Sequence, residues 1–232
     1  MDHPIEWLPA TGRPEQLIVL LHGVGSEGAA LAPLAQLLRH EFPQAAVLAP
    51  DAPHRFDGGA ARGRQWFSVD GITEDNRVSR VAAALAEFTP WLRATQQRLQ
   101  AVPVETALVG FSQGAILGLE FALAEDGLAG RVLAFSGRFA KPPSAAPQRT
   151  TLHLFHGDAD PVIAASFSRQ ALETMQALRG DATLDIAEGV GHELHPALAQ
   201  RALFRLRNHI PARTWAAALG AVPSLPSDPD DC

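Results

Sequence analysis

Apolar residues fall along this chain in short unbroken runs separated by longer stretches of helical spacing. Leu17-Ile18-Val19-Leu20-Leu21 is the clearest run, and residues 46–49, 106–109, 131–135, 151–155 and 183–187 repeat its character. Runs this short and this apolar suit parallel strands covered on both faces. Between them the apolar period lengthens, which predicts helices over 29–40, 74–100, 115–125, 164–178 and 196–209. The second is the best marked. Thr73 can cap it, Glu74 and Asp75 suit the positive end of its dipole, and Val78, Val81, Ala82, Leu85 and Phe88 share a face. Pro90 predicts a kink or break within it. Regular strand–helix alternation predicts an α/β fold, a mostly parallel central sheet with helices on both faces. No internal repeat is visible. Thr214 to Leu219 predicts a short amphipathic helix, and Pro223 to Cys232, rich in Pro, Asp and Ser, a disordered tail. The organisation expected is a single domain over residues 1–220 with a tail over 221–232.

Composition narrows the function classes. A length of 232 residues suits one large α/β domain, and 47% hydrophobic residues suffice for a sizeable core. The formal net charge is −6, Lys141 is the only lysine, and no Lys/Arg run exists, which argues against nucleic acid as a partner. The one cysteine is Cys232, so neither an intramolecular disulfide nor a cysteine metal site is expected. With nothing after it, that cysteine is not a prenylation signal. Met1-Asp2-His3-Pro4 does not read as a signal peptide, and no apolar run reaches membrane-spanning length. Cytoplasmic location without stable membrane insertion is the expectation; a homodimer stays open.

The chemistry starts at Gly110-Phe111-Ser112-Gln113-Gly114. This G-x-S-x-G follows a strand-like run and precedes a helix-like one. A sharp strand-to-helix turn holds such a serine in a strained backbone conformation with its hydroxyl exposed. The alternative is a plain Gly-Ser turn, but the flanking elements favour a nucleophile.

A serine nucleophile needs a base, and the base needs an orienting acid. On folds with this turn the chain order is serine, acid, histidine. His156-Gly157-Asp158-Ala159-Asp160-Pro161 ends one downstream strand, and Gly189-Val190-Gly191-His192 ends the next. Open α/β sheets place their sites at such strand ends. Asp158 and Asp160 compete as the acid. Pro161 fixes the turn after Asp160, while Asp158 can bond local amides. His192 competes with His195, His153 and His156. His195 precedes Pro196 at a helix start, His153 lies inside a strand, and His156 reads as a structural hydrogen-bonder.

Near the start, the strand ending at Leu21 is followed by His22-Gly23-Val24-Gly25-Ser26-Glu27-Gly28. In hydrolases with this serine turn, the corresponding loop gives one backbone N–H to the oxyanion hole and the residue after the nucleophile, here Gln113, gives the other. The same stretch also matches the dinucleotide fingerprint, Gly23-x-Gly25-x-x-Gly28, with Asp51 as the ribose acid. An oxidoreductase is therefore a rival, though it leaves the serine turn, the acid turn and the His192 loop without a role. A non-catalytic binding module is a second rival.

Leu21-His22-Gly23-Val24-Gly25, Gly110-Phe111-Ser112-Gln113-Gly114, His156-Gly157-Asp158-Ala159-Asp160-Pro161 and Gly191-His192 together resemble the small cap-less α/β-hydrolases of the carboxylesterase, phospholipase and acyl-protein thioesterase family. The resemblance spans roughly residues 17–211. It implies a Ser112, Asp160 and His192 triad, backbone N–H groups of Val24 and Gln113 as the oxyanion hole, and no metal or organic cofactor. Thioesterase members usually carry Asp where Ser26 stands, which weakens thioesterase specificity. The expected activity is a serine carboxylesterase on small-molecule acyl esters, with an acyl thioesterase or lysophospholipase as the alternative. No room for a lid exists between serine and acid, so short- to medium-chain esters are expected over long-chain lipids. The 51–70 segment is too long for a plain connection and could rim the site, as could 137–150. Trp66 and Phe67 are either an acyl-pocket wall or ordinary core aromatics.

Overall fold

Every apolar run becomes a strand and every helical stretch a helix in the computed structural model, which describes residues 1, 4–59 and 63–220. In chain order the elements are β1 (Ile5–Trp7), β2 (Gln16–Leu21), α1 (Ala32–Glu41), β3 (Ala45–Ala49), β4 (His54–Arg55), β5 (Arg64–Gln65), α2 (Glu74–Leu99), β6 (Thr106–Phe111), α3 (Gln113–Ala124), β7 (Arg131–Phe135), β8 (Thr151–Gly157), α4 (Ser166–Ala177), β9 (Ala182–Ala187), α5 (Pro196–Asn208) and α6 (Ala212–Gly220). Seven strands form one sheet in the order β1-β3-β2-β6-β7-β8-β9. All neighbours are parallel except β1 against β3. The tail expected over 221–232 lies outside the described residues.

Strand periodicity divides the core in two. Leu17, Val19 and Leu21 of β2 point to the side covered by α2, α3 and α4, with Phe88, Leu117 and Met175 among their neighbours in that cluster. Ile18 and Leu20 point to the other side, where α1 and α5 bring Ala35, Leu38, Leu198 and Leu203. Helices thus cover both faces, as strands apolar on both sides require. The sheet delivers the C-terminal ends of β2, β6, β8 and β9 to one edge.

Three features depart from the sequence expectations. First, β1 is a three-residue edge strand between Pro4 and Pro9, too short for a periodicity to register. Second, α2 passes through Pro90 as one continuous helix. A proline inside a helix costs about 3 kcal/mol. Phe88 and Leu92, both fully buried on the inward face, each return roughly 2 kcal/mol. Pro90 itself faces solvent, so the carbonyl it frees can bond water. The inward face also uses Ala84, while Ala82 is exposed. Third, the 51–70 segment carries a small antiparallel hairpin, β4 on β5, rather than plain loop. The helix expected near the end is α6, longer at both ends than the spacing suggested.

Candidate active site

The turn between β6 and α3 is forced by close backbone approach. A Cβ on Gly110 would lie 2.4 Å from the Gly114 carbonyl oxygen, and one on Gly114 would lie 2.1 Å from that of Leu21. Only glycine fits either place. Between them Ser112 has φ 53° and ψ −113°, outside the regions L-residues favour. Its own N–H donates to the Phe135 carbonyl at 2.9 Å, and its carbonyl accepts from Ile116 at 3.0 Å. The strained residue is held at both ends.

The acid turn and the histidine loop are joined to each other. A Cβ on Gly157 would sit 2.1 Å from the Val190 carbonyl, so the two strand ends touch. Ala159 N–H donates to that same carbonyl at 3.0 Å, and Asp158 N–H to Ala187 at 3.0 Å. The Asp158 carboxylate accepts from Gly189 N–H at 2.7 Å. Asp158 therefore fastens the loop that carries His192.

Ser112, His192 and Asp160 form a continuous row. His192 Nε2 lies 2.9 Å from Ser112 Oγ, and its Nδ1 lies 2.7 Å from Asp160 Oδ2. Nδ1 donates to the carboxylate, leaving Nε2 to accept the serine hydrogen. Asp160 Oδ1 accepts two backbone N–H groups, from Val162 at 2.8 Å and Ile163 at 2.9 Å. Burial pushes the Asp160 carboxyl up, but the bonds from His192, Ile163 and Val162 outweigh it and hold the group below its ordinary value. The acid side chain is fully buried and His192 is 16% exposed. Phe111 lies against the His192 ring, centroids 5.0 Å apart.

The loop after β2 lies directly against Ser112. A Cβ on Gly23 would be 3.4 Å from Ser112 Cβ. Among the described residues, the N–H groups of Val24 and Gln113 have no hydrogen-bond acceptor. The hairpin grips this loop from outside: Gly25 N–H donates to Arg64 and Arg64 N–H to Ser26, both at 2.8 Å. His22 Nε2 accepts from Ala52 N–H at 3.0 Å, so Nδ1 carries the hydrogen given to Gly23 at 2.7 Å. Burial lowers its pKa and keeps it neutral.

The remaining candidates resolve as follows. Trp66 and Phe67 are 1% and 4% exposed, within the main core cluster, which is the core-aromatic alternative rather than an open pocket wall. Trp66 Nε1 donates to the His22 carbonyl at 2.9 Å. The Gln113 amide bridges the same stretch, accepting from Trp66 N–H at 2.8 Å and donating to the Phe67 carbonyl at 2.7 Å. Sequence reasoning missed this bracing role of Gln113, His22 and Trp66; the only signal was polar residues inside apolar motifs. His195 caps α5, accepting from Ala197 N–H. His153 bonds Thr183 within the sheet. Asp51, the acid of the dinucleotide reading, accepts from Gly28 N–H at 2.7 Å and so ties the loop after β2 to the one after β3. Of the 137–150 segment only the start lies at the site edge; Asp126 binds the N–H groups of Gln148, Arg149 and Thr150 towards the opposite edge. A cleft of about 330 Å³ lined by Glu15, Thr106 and Arg131 also lies at that opposite edge, away from Ser112.

A profile of the phospholipase/carboxylesterase family matches residues 8–210. The chain belongs to that family. Esterase YpfH of Escherichia coli is 43% identical over 216 residues, covering 93% of this chain and 91% of its own length. Acyl-protein thioesterase 1 of Saccharomyces cerevisiae is 28% identical over 69% of this chain and 77% of its own. The crystal structure of esterase PE8 superimposes with a TM-score of 0.82 at 32% identity, covering 89% of this chain and 98% of that one. The chain is therefore an α/β-hydrolase and a serine ester hydrolase. The dinucleotide reading and the non-catalytic reading both fall. No helix of the described residues is long and apolar enough to cross a membrane.

Proposed function

We propose that this family member is a carboxylesterase in which Ser112 is the nucleophile, His192 the base and Asp160 the orienting acid. The observation that carries the reading is the hydrogen-bonded row from Ser112 Oγ to His192 to Asp160, at 2.9 and 2.7 Å. His192 Nε2 takes the Ser112 hydrogen as Oγ attacks the ester carbonyl, and Asp160 stabilises the imidazolium. The N–H groups of Val24 and Gln113 receive the tetrahedral oxyanion. The imidazolium protonates the departing alcohol; water then repeats the sequence on the acyl-enzyme and releases the acid. Ser112→Ala removes activity and fluorophosphonate labelling together. A variant that still labels would sink the assignment.

The substrate reading is short- to medium-chain esters of small molecules. Between the serine and the acid the chain holds only α3, β7, the 136–150 crossover and β8, with no inserted cap. The site opens straight onto the rim, where Val162 is 67% exposed beside the acid. A nitrophenyl ester series then gives its highest kcat/KM at butyrate to octanoate; a maximum at palmitate overturns this. Thioesters are the competing class, favoured by the thioesterases among the relatives. Paired oxygen and thiol esters of one acyl chain separate the two. Residues 1–220 act as one domain in the cytoplasm in this reading.

A further inference from the structure

His156 is a fully buried histidine that the acyl-transfer steps do not use. It stands behind the acid, at the end of β8, between the acid turn and α4. Its Nδ1 lies 2.7 Å from Ser168 Oγ on α4. Its Nε2 lies 2.8 Å from the Ile163 carbonyl oxygen and 3.3 Å from Asp160 Oδ2. We propose that His156 is a positioning residue for the triad: a neutral imidazole with its hydrogen on Nε2, shared between the Ile163 carbonyl and the Asp160 carboxylate. The inference rests on the reading of Asp160 as the acid.

The tautomer follows from the partners. A carbonyl oxygen and a carboxylate oxygen are both acceptors only. A bare Nε2 lone pair facing the two would be repelled, so Nε2 carries the hydrogen. Nδ1 is then the acceptor, and the Ser168 hydroxyl, 3% exposed, rotates to donate to it. The imidazolium would also satisfy both sides, but burial opposes it and keeps the ring neutral, against the Ile163 and Asp160 contacts that favour a charge. The charged or titratable groups facing the ring are Asp160 and His192; on α4 the facing group is the neutral Ser168.

Two effects on the acid result. The Ile163 carbonyl is fixed by His156 while the Ile163 N–H holds Asp160 Oδ1, so the ring sets the turn that sets the carboxylate. The longer contact supplies Oδ2 with a second donor beside His192. All four donor contacts to the carboxylate are then filled: Val162 and Ile163 on Oδ1, His192 and His156 on Oδ2. A carboxylate with one donor fewer is more basic and stabilises the His192 imidazolium more, so the base gives up its proton at higher pH.

The tautomer is read directly on the unaltered protein by long-range ¹H–¹⁵N correlation of the histidine rings. Expected is one ring, assigned to His156 by its loss in His156→Gln, with hydrogen on Nε2 and a bare Nδ1 at neutral pH. A hydrogen on Nδ1, or on both nitrogens, overturns the proposal whatever Ser112 does. The second readout is the kcat/KM pH profile. His156→Leu lowers kcat by up to about a hundredfold, with KM little changed, as a misplaced catalytic group does. Its acid limb moves to higher pH by roughly half a unit. His156→Gln, whose amide N–H can reach the Nε2 position, returns the limb towards wild type. A His156→Leu limb that does not move reduces His156 to packing and overturns the proposal. Should that variant not fold, Ser168→Ala keeps the ring but frees its tautomer; its limb moves the same way by less, and an unmoved limb is equally fatal. Failure of the triad reading is seen separately, as labelling retained by Ser112→Ala.

Discussion

Asp158 and Asp160 stand two residues apart on one turn and do different work. Asp160 holds the imidazole at 2.7 Å from a fully buried position, while Asp158 is exposed and holds the Gly189 N–H. Asp160→Asn leaves the shape intact but offers His192 an amide, which favours the wrong tautomer. Loss of kcat by about 10⁴ is expected, from steady-state kinetics on a soluble ester. Asp158→Asn keeps an acceptor oxygen for Gly189 and leaves kcat near wild type. Comparable losses in the two variants would mean that the acid has been misassigned. Gln113 makes a second residue-scale case. Gln113→Ala strips partners from two buried backbone groups, Trp66 N–H and the Phe67 carbonyl. Each group left unpaired costs about 1–3 kcal/mol, to be measured by urea unfolding. The meeting of Ser112, Asp160 and His192 in one row was legible in the sequence because each follows a strand C-terminus next to marker glycines. The role of the Gln113 side chain was not, since its partners lie 46 and 47 residues away. Trp66 was ambiguous for the same reason: nothing local distinguishes an indole facing a pocket from one donating to His22.

At the scale of elements, the β4–β5 hairpin turns an overlong connection into a latch. Gly25, with φ 75°, and Ser26 are held by Arg64, and Gly63 passes over them so closely that a Cβ there would lie 2.7 Å from the Gly25 carbonyl oxygen. That clash sets a Cβ, which has no rotamer, against a backbone carbonyl, so neither side can yield by a side-chain rotation. Gly63→Ala should therefore push the loop bearing Val24 off the nucleophile while the core stays folded. A loss of one oxyanion donor corresponds to about 10²–10³ in kcat. Unchanged kcat with a lowered melting temperature would show the hairpin to be a brace for the fold only. The hairpin was legible as an anomaly of length, and its gripping role was not, because the contact joins residues far apart in sequence. The opposite error occurred at Pro90. There a local rule predicted a break, and burial of Phe88 and Leu92 on the far side of the helix overrode it. Local signals gave the identity of elements well where burial and propensity agreed, and failed where packing from another element decided.

Across the whole molecule the parallel sheet separates two ends with opposite chemistry. Strand C-termini carry the site; the N-terminal half of β7 and β8, with β9 and α5, carries a buried polar cluster. The alternation of elements made the parallel sheet legible, but not the charges that would meet beneath it. His153 lies there, fully buried, with Nδ1 2.8 Å from Thr183 Oγ1 and its ring edge-on to His209. Arg131 reaches over it to the carbonyls of Arg205 at 3.1 Å and His209 at 2.9 Å. Burial, then the nearby His209 and Arg131, push the His153 pKa down from 6.5 to about 3. The folded protein therefore refuses a proton that the unfolded chain accepts once the pH drops below 6.5. Between that value and about 3, unfolding takes up this proton, and stability falls by about 1.4 kcal/mol per pH unit. Above 6.5 both states are neutral and the group has no effect on the slope. Asp181, also held below its ordinary value despite burial by bonds from Thr151 and Ala212 and by His209, adds a slope of the same sign only in the carboxylate range. His22 and His156, also kept neutral by burial, contribute alike to wild type and variant, so between about pH 6 and 4.5 the difference between the two proteins isolates His153. His153→Gln keeps a polar partner for Thr183 without a titrating ring. Urea unfolding across that window should give a flatter dependence for the variant by close to one proton, with parallel curves above neutrality; equal slopes in the window would mean that His153 is protonated in the folded state after all.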